Sequence, residues 1–213
     1  MGPDDVLVLQ TPSIEGLVLE HRFDQVHHQH LHYYSFDSLT GMLKRSGLTT
    51  ADSKIDWLHY GAWMFIARKG TKDQVGLDPR LARILNPVTG EGRNMAETVA
   101  TRYEEFSEHR TRVDRQLSTN PYVAFGGGLM LPVLAYHFPS MWTECVAILD
   151  DSPDRIGWQY ANTPLPITSP TGVEIHDIDC LVTGAVSKAS GRRIVGRLDE
   201  MNVKNIYFPT PGF

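Results

Sequence analysis

The 213-residue sequence predicts an α/β fold: a strand–helix–hairpin lobe followed by a small Rossmann-like parallel sheet. Three observations predict it. Short apolar runs (DVLVL, YVAF, CVAIL, DCLV) recur at strand length. In the second half they alternate with stretches of helical period, which implies parallel pairing and right-handed crossovers. Between residues 48 and 68, two strand-like runs are joined through Trp57 to Gly61, WLHYG, which predicts a hairpin.

Asp5 to Leu9 is a continuous apolar run bounded by Pro3 and Thr11-Pro12, which predicts a strand buried on both faces. Ser35 is placed to cap a helix over Phe36 to Ser46. Phe36, Leu39, Met42 and Leu43 fall at helical spacing, and Gly47 ends it. Leu48 to Asp56 and Ala62 to Arg68 are the hairpin strands. Lys69 to Gly92 is a polar connection with a helical piece near Pro79 to Leu85. Met95 to Ser118 carries Val99, Tyr103, Phe106, His109 or Arg110, Val113 and Leu117 at three- and four-residue steps, the pattern of an amphipathic helix. Beyond it come a strand at Tyr122 to Phe125, a turn at Gly126 to Gly128 and a helix over Leu129 to Phe138. A strand at Cys145 to Asp150 leads into a loop that runs to Pro170. A strand at Cys180 to Thr183, a helix over Ser187 to Met201 and a strand at Asn205 to Phe208 complete the chain. The expected organisation is 1–70 as the strand–helix–hairpin lobe with its histidine-rich loop, 71–120 as linker and amphipathic helix, and 121–213 as the parallel-sheet domain.

A net charge of −5 argues against nucleic acid as a partner, which calls for a clustered basic face. No apolar run approaches the roughly 20 residues that span a bilayer, and the opening residues lack a signal-peptide pattern. Cys145 and Cys180, each inside an apolar run, read as reduced core residues, so a cytoplasmic location is expected.

His21 to Phe36, HRFDQVHHQHLHYYSF, concentrates His21, His27, His28, His30 and His32, more than half of the nine histidines. Imidazole exchanges protons near neutral pH and ligates metals. The residues leave three readings open. His28, His30 and His32 would share a face of an extended segment and could bind metal; one histidine could act as general base; or the segment could be a polar surface loop. No cysteine or carboxylate at ligand spacing accompanies it, so no metal site is assigned. His59, with Tyr60 and Gly61, lies in the hairpin connection. Gly126, Gly127 and Gly128 follow a strand and open a helix, a context that suits either a phosphate or a tight turn. Asp150 and Asp151 follow the next strand, where they could accept from ribose hydroxyls or cap a turn.

Taken in order, these segments resemble a known family. FDQVHHQHLHYYSFDSLTGMLKRSGL resembles FDQIYHEHLSYFSLxSLxxLxxxHGL of the sugar-nucleotide C-methyltransferases. LHYGAWMF is similar to that family's THGGSLRV, VAFGGGLMLPVL to VAAYGAAAKGNTLL, and AILDDSPDRIGWQYANTPLPITSP to VVDRNPxKxGxxxPGTxIPIxxP. Those enzymes use S-adenosylmethionine to methylate the carbon beside the ketone of a 4-keto-deoxysugar nucleotide. The resemblance implies His30 as the base that forms the enolate, with His27 and Gln29 as its motif partners. It implies His59, Tyr60, Gly61 and Tyr33 as substrate contacts in the first lobe, and Gly126, Gly127, Gly128 and Asp150 in the second.

Gln29 replaces a glutamate of the motif, Met130 a lysine and Leu131 a glycine. The family's amino-terminal half, with its cysteine-rich zinc module and donor-binding glycine loop, has no counterpart here. The resemblance thus implies the carboxy-terminal part of such an enzyme, which would not bind S-adenosylmethionine alone. Its expected partners are a nucleotide sugar and either a donor-binding methyltransferase subunit or a second copy at the Val6–Leu9 edge. The alternative is a non-catalytic sugar-nucleotide-binding or protein-interaction module derived from that family.

Overall fold

A computed structural model describes residues 2, 4–26, 30–70, 75–89, 94–138, 141–173, 175–185 and 187–211. Those up to Arg22, and from His30 to Glu104, form one compact unit. Phe23 to Val26, and Glu105 to Pro211, form a second.

The first unit is built on an antiparallel sheet of β1 (Val6–Thr11), β2 (Leu48–Asp56) and β3 (Ala62–Lys69), ordered β1-β3-β2. The hairpin forms as the sequence predicts, with a register shift between Thr50 and Asp52. Helix α1 (Ile14–Glu20) starts at Ser13, whose hydroxyl accepts from the Gly16 amide at 2.7 Å, and ends at His21 in the left-handed region, φ 51°. Helix α2 (Phe36–Arg45) is capped by Ser35, which accepts from the Ser38 amide at 3.1 Å. Helix α3 spans Pro79–Thr89. Phe36, Leu39, Leu43, Trp63, Phe65, Ala67, Leu81 and Leu85 make the core. Phe36, Trp63 and Phe65 pack as three rings with centroids 5.3–5.7 Å apart. Full burial of each such large side chain stabilises by roughly 1.5–3 kcal/mol.

Two expectations are corrected here. Strand β1 is not buried on both faces: Val6 and Val8 are 46% and 59% exposed, while Leu7 and Leu9 pack on the core. It lies at the edge of the sheet with only one face covered, and four consecutive apolar residues do not reveal that alternation. Helix α1 occupies a stretch for which the sequence predicts no element, because Gly16 in its first turns weakens a helical pattern. Packing demands that glycine: a Cβ there would lie 2.3 Å from the Gly61 carbonyl oxygen.

The second unit is an α/β sheet of five parallel strands, ordered β6-β5-β4-β7-β8. Its strands are β4 (Tyr122–Phe125), β5 (Cys145–Leu149), β6 (Ile167–Thr168), β7 (Asp179–Val182) and β8 (Asn205–Tyr207). Central β4 is buried throughout and alternates: Tyr122 and Ala124 pack on one face, Val123 and Phe125 on the other. The first face is covered by helices α4 (Met95–Leu117) and α5 (Met130–His137), through Val113, Leu117, Leu131 and Leu134. The second is covered by α6 (Lys188–Glu200), through Leu198 and Ile194. Ser187 and Ser190 close a reciprocal capping box at the start of α6. Strand β6 falls inside the expected loop to Pro170, because two residues among prolines carry no strand period.

Cys145 and Cys180 are free and buried in this sheet. Burial pushes the Cys145 thiol up to about 11 and raises that of Cys180 further, so neither offers a thiolate at neutral pH.

Candidate functional site

In the first unit the histidine segment is tied to the start of α1. Tyr34 donates its amide to the Pro12 carbonyl at 3.1 Å, and its own carbonyl accepts from the Ile14 amide at 3.2 Å. This anchoring places His30, half-buried, with Nδ1 3.3 Å from the Tyr33 hydroxyl and the two rings edge to face at 6.0 Å. His32 is exposed, its ring 6.0 Å from that of Tyr34. His27, His28 and Gln29 lie outside the described residues. Among the described residues no group of three or more His, Cys, Asp or Glu could hold a metal ion.

The hairpin turn gathers His59, Tyr60 and Gly61. Strand β2 ends at Asp56, whose carbonyl accepts from the amides of His59 at 3.2 Å and Gly61 at 3.1 Å. Its carboxylate takes the Leu58 amide on Oδ1 at 3.0 Å and His59 Nδ1 on Oδ2 at 2.7 Å. The hydrogen bond from His59 holds the Asp56 carboxyl below its ordinary value. Tyr60 and Gly61 turn the chain at φ 59° and 73°. The Arg22 guanidinium, on a residue only 2% exposed, sits 5.5 Å from the centre of the Tyr60 ring.

Glu15 holds three segments of this unit together. The residue is 3% exposed, and its carboxyl group accepts from the Phe36 amide and from Trp63 Nε1, both at 2.8 Å, and meets the Ser13 hydroxyl at 3.4 Å. Burial raises its pKa against those hydrogen bonds. After the end of α1, Arg102 Nη1 donates to His21 Nε2 at 3.2 Å.

In the second unit the residues Gly126–Gly128 and Asp150 meet at the carboxyl ends of β4 and β5, where ligands bind in such sheets. Asp150 accepts from the Gly127 amide at 2.6 Å and from the Ser152 amide at 2.7 Å. Arg155 Nη1 donates to both of its oxygens, at 3.0 and 3.2 Å. A Cβ at Gly126 would lie 2.3 Å from the Gly184 amide nitrogen, and one at Gly127 2.6 Å from Ile167. The Gly126 and Gly127 carbonyls accept from Thr183 Oγ1 at 2.7 Å and from the Tyr160 hydroxyl at 3.2 Å. These glycines are required by close packing of the chain on itself. The turn is filled by its own neighbours, so it does not fit S-adenosylmethionine. Beside it Gly128 faces the half-exposed Arg155 guanidinium, with a Cβ position 3.9 Å away.

Phe23 to Gln25, the FDQ of the motif, form a buried 3-10 turn of the second unit. Phe23 packs on Phe106 at 5.8 Å and Phe106 on His137 at 6.2 Å, while Arg110 Nη1 donates to the His137 carbonyl at 3.1 Å. Burial lowers the His137 pKa, and Arg110 acts in the same direction; Asp24 and a hydrogen bond to the Val26 backbone oppose it. A group whose folded pKa is depressed stabilises above its unfolded value. This unit is therefore expected to lose stability as pH falls below about 6.5. Denaturant melts at several pH values check this, and His137→Gln should flatten the dependence.

Three residues that shape these sites are absent from the sequence-level candidates: Asp56, Glu15 and Arg155. For Asp56 the signal was present, an acid three residues before a histidine in a turn closed by glycine. For Glu15 and Arg155, whose partners lie far apart or in a loop without a period, no local signal existed.

The described geometry is that of a Rossmann-like or methyltransferase-like α/β protein, with a partly buried histidine in one unit and a parallel sheet in the other. The chain is similar to the C-methyltransferase NovU of Streptomyces niveus, 26% identical over 117 residues, which is 55% of this chain and 27% of that protein. The match thus covers little more than a quarter of that relative's length and supports a methyltransferase-like relationship. No protein-family profile matches the chain. No helix among the described residues is long and apolar enough to cross a membrane.

Proposed function

We propose that this chain is the substrate-holding and base-supplying part of a C-methyltransferase acting on a nucleotide-linked 4-keto-deoxysugar. The observation that carries the reading is His30, half-buried and hydrogen-bonded to Tyr33 within the segment that resembles the family's histidine motif. In the tautomer that gives Nδ1–H to the Tyr33 hydroxyl, Nε2 is the basic nitrogen. It removes the proton beside the ketone, and the resulting enolate is the carbon nucleophile. His27 and Gln29 flank it in sequence. His59, Tyr60 and Gly61 hold the sugar. In the second unit, taken by itself, the half-exposed Arg155 guanidinium, held by Asp150 beside Gly128, is the positive group that an anionic ligand would meet. The methyl group comes from S-adenosylmethionine held by another part of the enzyme or another chain.

Calorimetry with a nucleoside diphosphate sugar and with S-adenosylmethionine tests this. Binding of the sugar nucleotide alone is expected, with methyl transfer only after a donor-binding chain is added. Binding with no turnover in any such mixture would leave a non-catalytic sugar-nucleotide module. Absence of sugar-nucleotide binding would end both readings.

The proposal also assigns the open side of β1 to a second copy or a covering segment, because among the described strands only β3 pairs with it. Sedimentation should report a dimer that Val8→Lys weakens; a monomer at every concentration rejects the self-pairing.

A further inference from the structure

We infer that Asp56 is a positioning residue that locks His59 in its Nδ1–H tautomer, so that the ring presents Nε2 only as an acceptor and reads a hydroxyl of the sugar. The inference rests on the proposed function for its substrate, and on geometry for everything else. Oδ2 of Asp56 lies 2.7 Å from His59 Nδ1. A carboxylate can only accept, so Nδ1 must carry the hydrogen. Neutral imidazole then has a lone pair at Nε2, and the side chain is 64% exposed, so that atom is accessible.

The carboxylate is itself fixed. Its other oxygen is occupied by the Leu58 amide at 3.0 Å, and its backbone carbonyl by two further amides of the same turn. Strand β2 supplies the rigid base, and the side chain of Asp56 is only 18% exposed. Below the turn, Gly61 rests on the backbone of Gly16, and Tyr60 on Arg22. His59 is thus held from the strand side through Nδ1 while most of its side chain is exposed.

This arrangement has a specificity consequence. An acceptor nitrogen pairs with a hydroxyl donor and gives nothing to a carbonyl oxygen. His59 should therefore discriminate by the hydroxyl pattern of the sugar, and leave the ketone to other groups. Both oxygens of Asp56 are used as acceptors, so an amide cannot replace it. In Asp56→Asn the single oxygen stays with the Leu58 amide, the NH2 group faces Nδ1, and His59 must move its hydrogen to Nε2.

The test is long-range nitrogen–proton NMR of the histidine-labelled chain at pH about 8, above the ordinary imidazole range, with His59→Gln to assign the signal. The wild-type ring should show the Nδ1–H pattern, and Asp56→Asn the Nε2–H pattern, with an otherwise unchanged amide spectrum. Calorimetry in parallel should show Asp56→Asn weakening the sugar nucleotide roughly tenfold, the scale of one lost hydrogen bond. A derivative lacking the contacted hydroxyl should bind wild type and variant alike. An Nε2–H ring in wild type, an Nδ1–H ring in Asp56→Asn, or unchanged affinity in that variant overturns the inference while the proposed function stands. Wild-type chain that binds no sugar nucleotide overturns the proposed function and the hydroxyl contact together; the spectrum still decides whether Asp56 sets the tautomer.

Discussion

His30→Ala is expected to slow methyl transfer by about 10²–10⁴-fold in a mixture containing the donor-binding chain, the range that a positioned general base contributes. Sugar-nucleotide affinity should barely change, because proton removal is a transition-state interaction and leaves the ground state as it was. The loss should therefore fall on kcat. Tyr33→Phe should give a smaller loss of the same kind, since it removes the hydroxyl 3.3 Å from Nδ1 and leaves the ring in place. Exchange of the substrate's α-proton with deuterated solvent, followed without methyl donor, isolates the step. Exchange that persists in His30→Ala would assign the base elsewhere.

The second large effect concerns folding. Glu15→Ala is expected to destabilise the first unit by about 2–4 kcal/mol, because it strands two buried donors, the Phe36 amide and Trp63 Nε1. Glu15→Gln keeps an acceptor for one of them and should cost about half as much. The pH dependence has a definite sign. Burial raises the Glu15 pKa, so the folded unit favours the protonated acid. The stabilisation is fully present below the ordinary carboxyl value of about 4.5 and is lost as pH rises through the folded value. Urea titrations of wild type across that interval should show falling stability, and those of Glu15→Gln a flatter line. In a variant with Trp57, Trp142 and Trp158 replaced by Phe, Trp63 fluorescence reports the transition, since its indole is bonded to the carboxyl group in question.

Much of the fold was legible in the sequence because its signals were local. The period-2 and period-3.6 patterns mark β2, β3, α2, α4 and the alternating second half within a residue or two of the observed ends. Ser35 caps a helix where a serine before an apolar period predicts it. What escaped was set by tertiary contact. Helix α1 exists because Gly16 fits under Gly61, and β6 because Ile167 and Thr168 find a strand to pair with. The one-sided exposure of β1 depends on which side of the sheet is covered.

The candidate sites divide in the same way. His59, Tyr60 and Gly61 are contiguous, so their grouping in one turn follows from the chain, and His30 with Tyr33 is a three-residue step. Asp150 meets Gly127 across 23 positions, which their places just after successive strands of a parallel sheet made foreseeable. The carboxyl group of Glu15 bonds an indole 48 residues away, and no spacing rule announces that.

Both cysteines of the chain stand in the parallel sheet of the second unit, and the first unit has none. Pulse alkylation therefore reads the opening of one half of the molecule in isolation. Under mild denaturant, the rate at which a maleimide adds to Cys145 and Cys180 measures how often that sheet comes apart, whatever the other half is doing. Compared with the Trp63 signal, it would tell whether the halves melt as one body or as two.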